Sequence, residues 1–137
     1  MNIDVDKNYS NVSAIKPGVT GETGIETQSI IKGVVKMIKP DLMIIVDSLS
    51  TSSLDRLNKS IQITTSGVYP GSGVGNKRKE LSPKTLGIPV IVIGVPTVIS
   101  YNNESSNLMV TPKEIDFLID KFVQIISYGI NKSLHNI

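Results

Sequence analysis

The chain has 137 residues, no cysteine, one histidine and a formal net charge of +2. That length fits one domain able to bury a core unaided, and the missing thiols exclude disulfides, thiolate metal sites and cysteine nucleophiles, as suits a reducing compartment. The mild charge falls short of a dedicated nucleic-acid binder, and a lone imidazole, His135, offers no multi-histidine metal site.

Hydrophobic residues make up 39% of the chain but aromatics only 4%, with no tryptophan, so Ile, Val and Leu must fill the core. Such a core suits parallel strands buried on both faces. The N-terminal stretch "MNIDVDKNYSNVSAIKPG" lacks a basic cluster followed by an apolar run, and no apolar stretch approaches the roughly 20 residues of a membrane span. The expectation is a soluble cytoplasmic protein.

In chain order, residues 1–20 are polar and loop-like. From Glu22 to Ile38 the positions Ile31, Val34, Val35 and Ile38 follow helical spacing, with Glu22 and Glu26 near the start, Lys32, Lys36 and Lys39 towards the end, and Pro40 as the stop. "LMIIVD", residues 42–47, predicts a short buried strand ending in a carboxylate. Residues 54–59 suggest a short helix, and "SIQIT" alternates as a half-buried strand. A glycine-rich loop of about twenty residues follows, from Thr65 to Thr85, a length that points to function or disorder. "IPVIVIG", residues 88–94, reads as a second buried strand closed by Pro96.

The polar run at 99–107 reads as an exposed linker. Thr111, Pro112 and Glu114 spell a capping box, followed by an apolar helical stripe of Ile115, Leu118, Ile119, Phe122 and Ile126 that would cover a sheet. The alternation predicts a single layered α/β domain over 1–137, with a mostly parallel sheet flanked by helices. Three strands make that sheet narrow, so an edge from the N-terminal segment or a neighbour is expected.

The loop "GVYPGSGVGNKRKEL" carries Gly67, Gly71, Gly73 and Gly75 and then Lys77, Arg78 and Lys79. It is not a phosphate-binding P-loop: counted from Gly71, the required glycine is Asn76 and the required hydroxyl is Arg78. The dinucleotide fingerprint fails at Asn76 as well. No aromatic platform accompanies the basic triplet, which argues against nucleic acid.

Asp47 has two readings, a catalytic carboxylate beyond the end of a strand or an N-cap for residues 48–57. A carboxyl desolvated by an apolar wall or by a second acid can shuttle the proton of a water. Glu22 and Glu26 are the possible second carboxylates, although both also suit a helix N-terminus. Asn58, Gln62 and Ser72 are candidates to orient a peptide, with glycine amides to hold a carbonyl. A Ser72 nucleophile with Lys77 as its base has nothing local to position it.

Several blocks resemble the spore germination protease family: "PGVTGETGIET" (17–27), "KPDLMIIVDSL" (39–49), "RLNKSIQI" (56–63), "GVYPGSGVGNKRKEL" (67–81), "TLGIPVIVIGVPTV" (85–98) and "NLMVTPKEIDFLIDKF" (107–122). The resemblance implies an endopeptidase that begins breakdown of small acid-soluble spore proteins in the spore core at germination. It also implies zymogen synthesis, a homotetramer, a fold like that of the hydrogenase-maturation peptidases, and no cofactor, membrane or direct nucleic-acid partner. Asp47 matches one of the family's two proposed catalytic aspartates, while the region of the other has no counterpart here. The segment between "GVPTV" and "NLMVTPKE" is shortened to 99–106. The resemblance makes Gly71, Ser72, Gly73, Gly75, Asn76 and Lys77 part of a substrate wall, and makes Lys77, Arg78 and Lys79 a basic surface for acidic substrate, while Asn58 is a substrate-binding candidate on its residue type alone. The alternative is an inactive remnant that keeps peptide or subunit binding.

Overall fold

The computed structural model describes residues 9–71, 78–103 and 106–135. They fall into two compact units, one spanning Pro17–Ile115 and one joining the N-terminal segment to Asp116–Ile137. Each has its own local logic.

In the larger unit the expected first helix is two. A short turn of helix, α1 (Thr20–Thr23), ends where Gly24 takes a left-handed conformation at φ 68, and α2 (Thr27–Ile38) restarts after Glu26. The residue at φ 68 is one that a Cβ disfavours, so the glycine decides the break. Lys39, also left-handed at φ 52, closes α2 through its N–H to Val35 O at 2.8 Å, and Pro40 follows.

Four strands form one sheet: β1 (Met43–Thr51), β2 (Gln62–Thr64), β3 (Val90–Asn103) and β4 (Ser106–Val110). The order is β1-β3-β2, with β4 paired to the far half of β3. Only β1 and β3 run parallel, whereas β2 and β4 both lie antiparallel to β3. The sheet is therefore mixed, which corrects the expected mostly parallel one. Antiparallel neighbours need no crossover helix: residues 65–89 return the chain from β2 to β3, and β4 follows two residues after β3.

Residues 99–107 were expected as a linker, yet 99–103 and 106–107 belong to this antiparallel pairing. Ile99 lies opposite Val110 and Asn103 opposite Ser106, so a polar sequence forms a two-stranded arm. Polar composition hides strand structure when backbone pairing rather than burial holds the segment. β3 passes straight through Pro96, and the register with β1 slips there, from Leu49↔Pro96 to Ser50↔Val98. The ring nitrogen has no hydrogen to donate, so a bulge absorbs the gap.

Residues 54–59 form successive turns rather than a helix. The long loop is divided: Val68 and Leu81 exchange both backbone hydrogen bonds, at 2.9 and 2.8 Å, and a four-residue helix, α3 (Pro83–Leu86), follows. Ser82 and Thr85 cap α3 reciprocally, Thr85 accepting the Ser82 N–H at 3.0 Å.

The core joins Ile31 of α2, Val68 and Leu81 of the bridge, Leu86 of α3, and Val90 and Val92 of β3. Val35, Met43, Ile45, Leu49 and Ile88 pack around it. Burying each such side chain contributes about 1.5–3 kcal/mol. The other face of the sheet is apolar but open, with Val46 54% and Ile63 69% exposed.

The smaller unit holds α4 (Ile115–Leu134) and the N-terminal segment. Tyr9 packs against His135 with the rings tilted by 50° and 5.1 Å between centroids, and the Ser10 N–H donates to His135 Nδ1 at 3.1 Å. The single histidine therefore anchors a chain end. Thr111 does not cap α4, because its hydroxyl donates to Thr97 O at 2.9 Å. The helix begins at Ile115, and none of its residues is buried.

Candidate active site

Strand alternation puts Met43, Ile45, Asp47 and Leu49 on one face of β1, the face that meets the core. Asp47 is thus a carboxylate set among aliphatic side chains. It does not end the strand as expected, for β1 continues through Ser48, Leu49, Ser50 and Thr51. No helix starts at residue 48, so the N-cap reading is excluded.

Opposite Asp47 in the register stands Gly94 of β3, and opposite Gly94 on its other side stands Gln62 of β2. Gly94 carries no side chain, and Leu49 leans into the space above it. Burial removes water from one of the two carboxyl oxygens, Oδ2.

One oxygen of Asp47, Oδ1, accepts the N–H of Ser48 at 2.9 Å; the other, Oδ2, is buried without a hydrogen-bond partner. Burial pushes the carboxyl's pKa above its ordinary 3.8, while the backbone amides of Ser48 and Gly71 pull it back. The net direction is upward, towards a group that holds and releases a proton nearer neutrality. The glycine loop therefore reaches Asp47 at Gly71, which adopts φ 71.

Ser72, Gly73, Gly75, Asn76 and Lys77 lie outside the described residues. Of the basic triplet, Arg78 donates to Thr20 Oγ1, and Lys79 gives its backbone N–H to Glu26 Oε1 at 3.1 Å. Gln28 donates to Glu80 O at 2.5 Å. These bonds fasten the returning arm of the loop to α1 and α2.

Glu26 thus serves as an acceptor for the loop backbone, and Glu22 sits exposed in α1. Neither is among the groups that shift the Asp47 carboxyl; the largest cause there is burial. Among the described residues no cluster of acidic and histidine side chains is arranged to hold a metal.

Asn58 has its own tension. It is 8% exposed, left-handed at φ 52, and its N–H donates to Pro96 O at 2.7 Å, yet both polar atoms of its side chain are buried without partners. Its backbone bond sets it beside β3 two residues beyond Gly94, on the side away from Asp47. Leu49 and Gly94 were not singled out in the sequence. A glycine within "IPVIVIG" was the available signal, since glycine inside a strand marks a close approach.

The arrangement is that of an α/β protein with a desolvated carboxylate on a sheet, approached by a glycine-rich loop. The germination protease family model matches residues 2–106. A germination protease of Geobacillus sp. (strain WCH70) is 52% identical over 118 residues, covering 86% of this chain and 30% of that protein. One of Bacillus mycoides (strain KBAB4) is 49% identical over 125 residues, covering 91% of this chain and 32% of that protein. The chain belongs to the germination protease family, and it spans about a third of the length of the curated relatives it matches.

Proposed function

We infer that the chain carries the peptidase chemistry of its family, with Asp47 as the carboxylate that moves the proton. One observation carries this reading: a carboxyl held among aliphatic side chains, with one oxygen unpartnered and its proton affinity raised by burial. Desolvation without a compensating partner costs stability, so a chain that keeps such a group gains from its reactivity.

In the reaction, ionised Asp47 accepts a proton from a water whose oxygen bonds to the peptide carbonyl carbon. The carbon–nitrogen bond then breaks, and the proton passes to the departing nitrogen. The Gly71 amide, beside the carboxyl, belongs to the wall against which the substrate lies. The substrates are small acid-soluble spore proteins, cut in the spore core at germination, and the active form is a homotetramer. The mixed sheet and its helices suit a fold akin to that of the hydrogenase-maturation peptidases.

Purified small acid-soluble spore protein, incubated with the chain and with its Asp47→Asn variant, tests the reading. Cleavage should fall by about 10²- to 10⁴-fold in the variant. Equal cleavage by both would remove Asp47 from the chemistry, and no cleavage by either folded chain would favour a binding remnant.

A further inference from the structure

Gln28 is 8% exposed on the first turn of α2, on the face that carries Ile31 and Val35 to the core. An aliphatic side chain would suit that stripe, and a buried carboxamide is tolerated there only with a partner. Its Nε2 donates to Glu80 O. That carbonyl already accepts Thr85 Oγ1 at 2.9 Å, so it does not need a second donor to be satisfied. A second donor fixes the plane of the peptide between Glu80 and Leu81.

The other polar group of that peptide is the Leu81 N–H, which donates to Val68 O at 2.8 Å, while Val68 returns its N–H to Leu81 O at 2.9 Å. Only Tyr69 and Pro70 separate Val68 from Gly71. The ring of Pro70 fixes its own φ, so few torsions lie between the bridge and the Gly71 amide beside Asp47. Next to the Gln28 contact, Arg78 is bonded to Thr20 and the Lys79 N–H to Glu26.

We propose that Gln28 is a positioning residue for Asp47: its carboxamide locks the Glu80–Leu81 peptide, the Val68–Leu81 bridge carries that constraint across the loop base, and the Gly71 N–H is thereby held on the carboxylate. The purpose of that amide rests on the peptidase reading, in which ionised Asp47 takes the proton of a water. The Gly71 N–H favours the ionised form and opposes burial, which keeps Asp47 available as a base. Without the Gln28 bond the carboxyl keeps its proton to higher pH.

β1, β2 and β3 carry no other charged residue, and the titratable Tyr101 lies in the arm paired with β4. On the loop and the helices it touches, Glu22, Glu26, Arg78, Lys79 and Glu80 are not among the groups that shift Asp47. A change in its titration therefore reports the amides around it.

The test follows the Asp47 carboxyl by ¹³C NMR and the Gly71 amide by ¹⁵N NMR through a pH titration of the full chain. In the parent the Gly71 amide proton should move with the Asp47 carboxyl, as a donor to it must. Gln28→Met keeps the length and removes the donor. It should uncouple the Gly71 amide and strengthen proton binding at Asp47 by about tenfold, as loss of a hydrogen bond to a charged group requires. Ile31→Val, one turn along the same face, loosens the same packing and should shift neither signal. Should the methionine variant not fold, Gln28→Asn withdraws the amide by one methylene and gives the same readout. A Gly71 amide that ignores the titration in the parent, an Asp47 titration unmoved by loss of Gln28, or an equal shift from Ile31→Val overturns the proposal.

Cleavage of small acid-soluble spore protein separates this from the peptidase reading. With Asp47 as the base, the acidic limb of the kcat/KM profile moves upward in Gln28→Met by the same factor as the NMR titration. A shifted titration with an unmoved limb would keep Gln28 as a positioning residue and remove Asp47 from the chemistry. An unshifted titration, with cleavage abolished by Asp47→Asn, would do the reverse.

Discussion

Leu49 fills the space that Gly94 leaves: a Cβ on Gly94 would lie 2.4 Å from Leu49 Cδ1 and 2.7 Å from its Cγ. Gly94 is also the register partner of Asp47, so this contact lies across the sheet from the carboxylate's own position. Gly94→Ala must push Leu49 aside, which costs about 1–3 kcal/mol by overpacking. Urea denaturation should show that loss. Cleavage should fall too, because Gly94 is the register partner of Asp47 and the strand must shift to admit the methyl; an unperturbed midpoint would contradict the contact.

The pKa of Asp47 is raised on folding, so the native state binds its proton more tightly than the unfolded chain does. Stability from this group is therefore greatest below the unfolded value near 3.8 and falls as pH rises through the native value. Asp47→Asn removes that dependence. The variant should melt higher than the parent at neutral pH while losing activity, and the gap should shrink as pH drops towards 4. A melting temperature equal to the parent's at neutral pH would refute a desolvated carboxylate.

Gly67 adopts φ 111, and a Cβ there would stand 2.5 Å from Ser82 Cβ and 2.6 Å from Leu81 O. It adjoins the Val68–Leu81 bridge that closes the base of the glycine loop. Gly67→Ala combines a disfavoured conformation with a clash against backbone, so stability should drop by about 2 kcal/mol or more. Thermal unfolding measures it. A loss within error would mean the loop base is not fixed by this bridge.

Glu26 is bonded to the Lys79 N–H, which predicts a split between two substitutions. Glu26→Gln keeps an acceptor and should leave both stability and the pH profile of cleavage unchanged. Glu26→Ala should cost about 1 kcal/mol through the lost hydrogen bond. If instead the glutamine variant moved the acidic limb of the pH profile, Glu26 would be acting on the Asp47 proton as a second carboxylate.

Much of the fold was legible because it depends on local patterns. The spacing of Ile31 and Val35 gave α2, the run of branched residues gave β1 and the first half of β3, and Asp47 stood out as a charge against an apolar strand. Strand direction was not legible. Val90 and Val92 read alike whether a neighbour runs parallel or antiparallel, and the polar arm of β3 and β4 shows no apolar alternation. Thr111 misled for a related reason, since a hydroxyl that looks like a cap found Thr97 O instead.

The sequence by itself determined the class of the chain, the elements with strong periodicity, the glycine-rich loop and the carboxylate worth attention, because residue type and spacing act over a few neighbours. Only the tertiary structure decided that Asp47 lies within a strand, that Gly94 stands opposite it with Leu49 filling the space above that glycine, that Gly71 reaches it, and that Glu26 is engaged by the loop backbone. Each of those facts depends on segments far apart in the chain meeting in one register. Proton affinity in particular follows the dielectric and donors around a carboxyl, which exist only once the chain has folded.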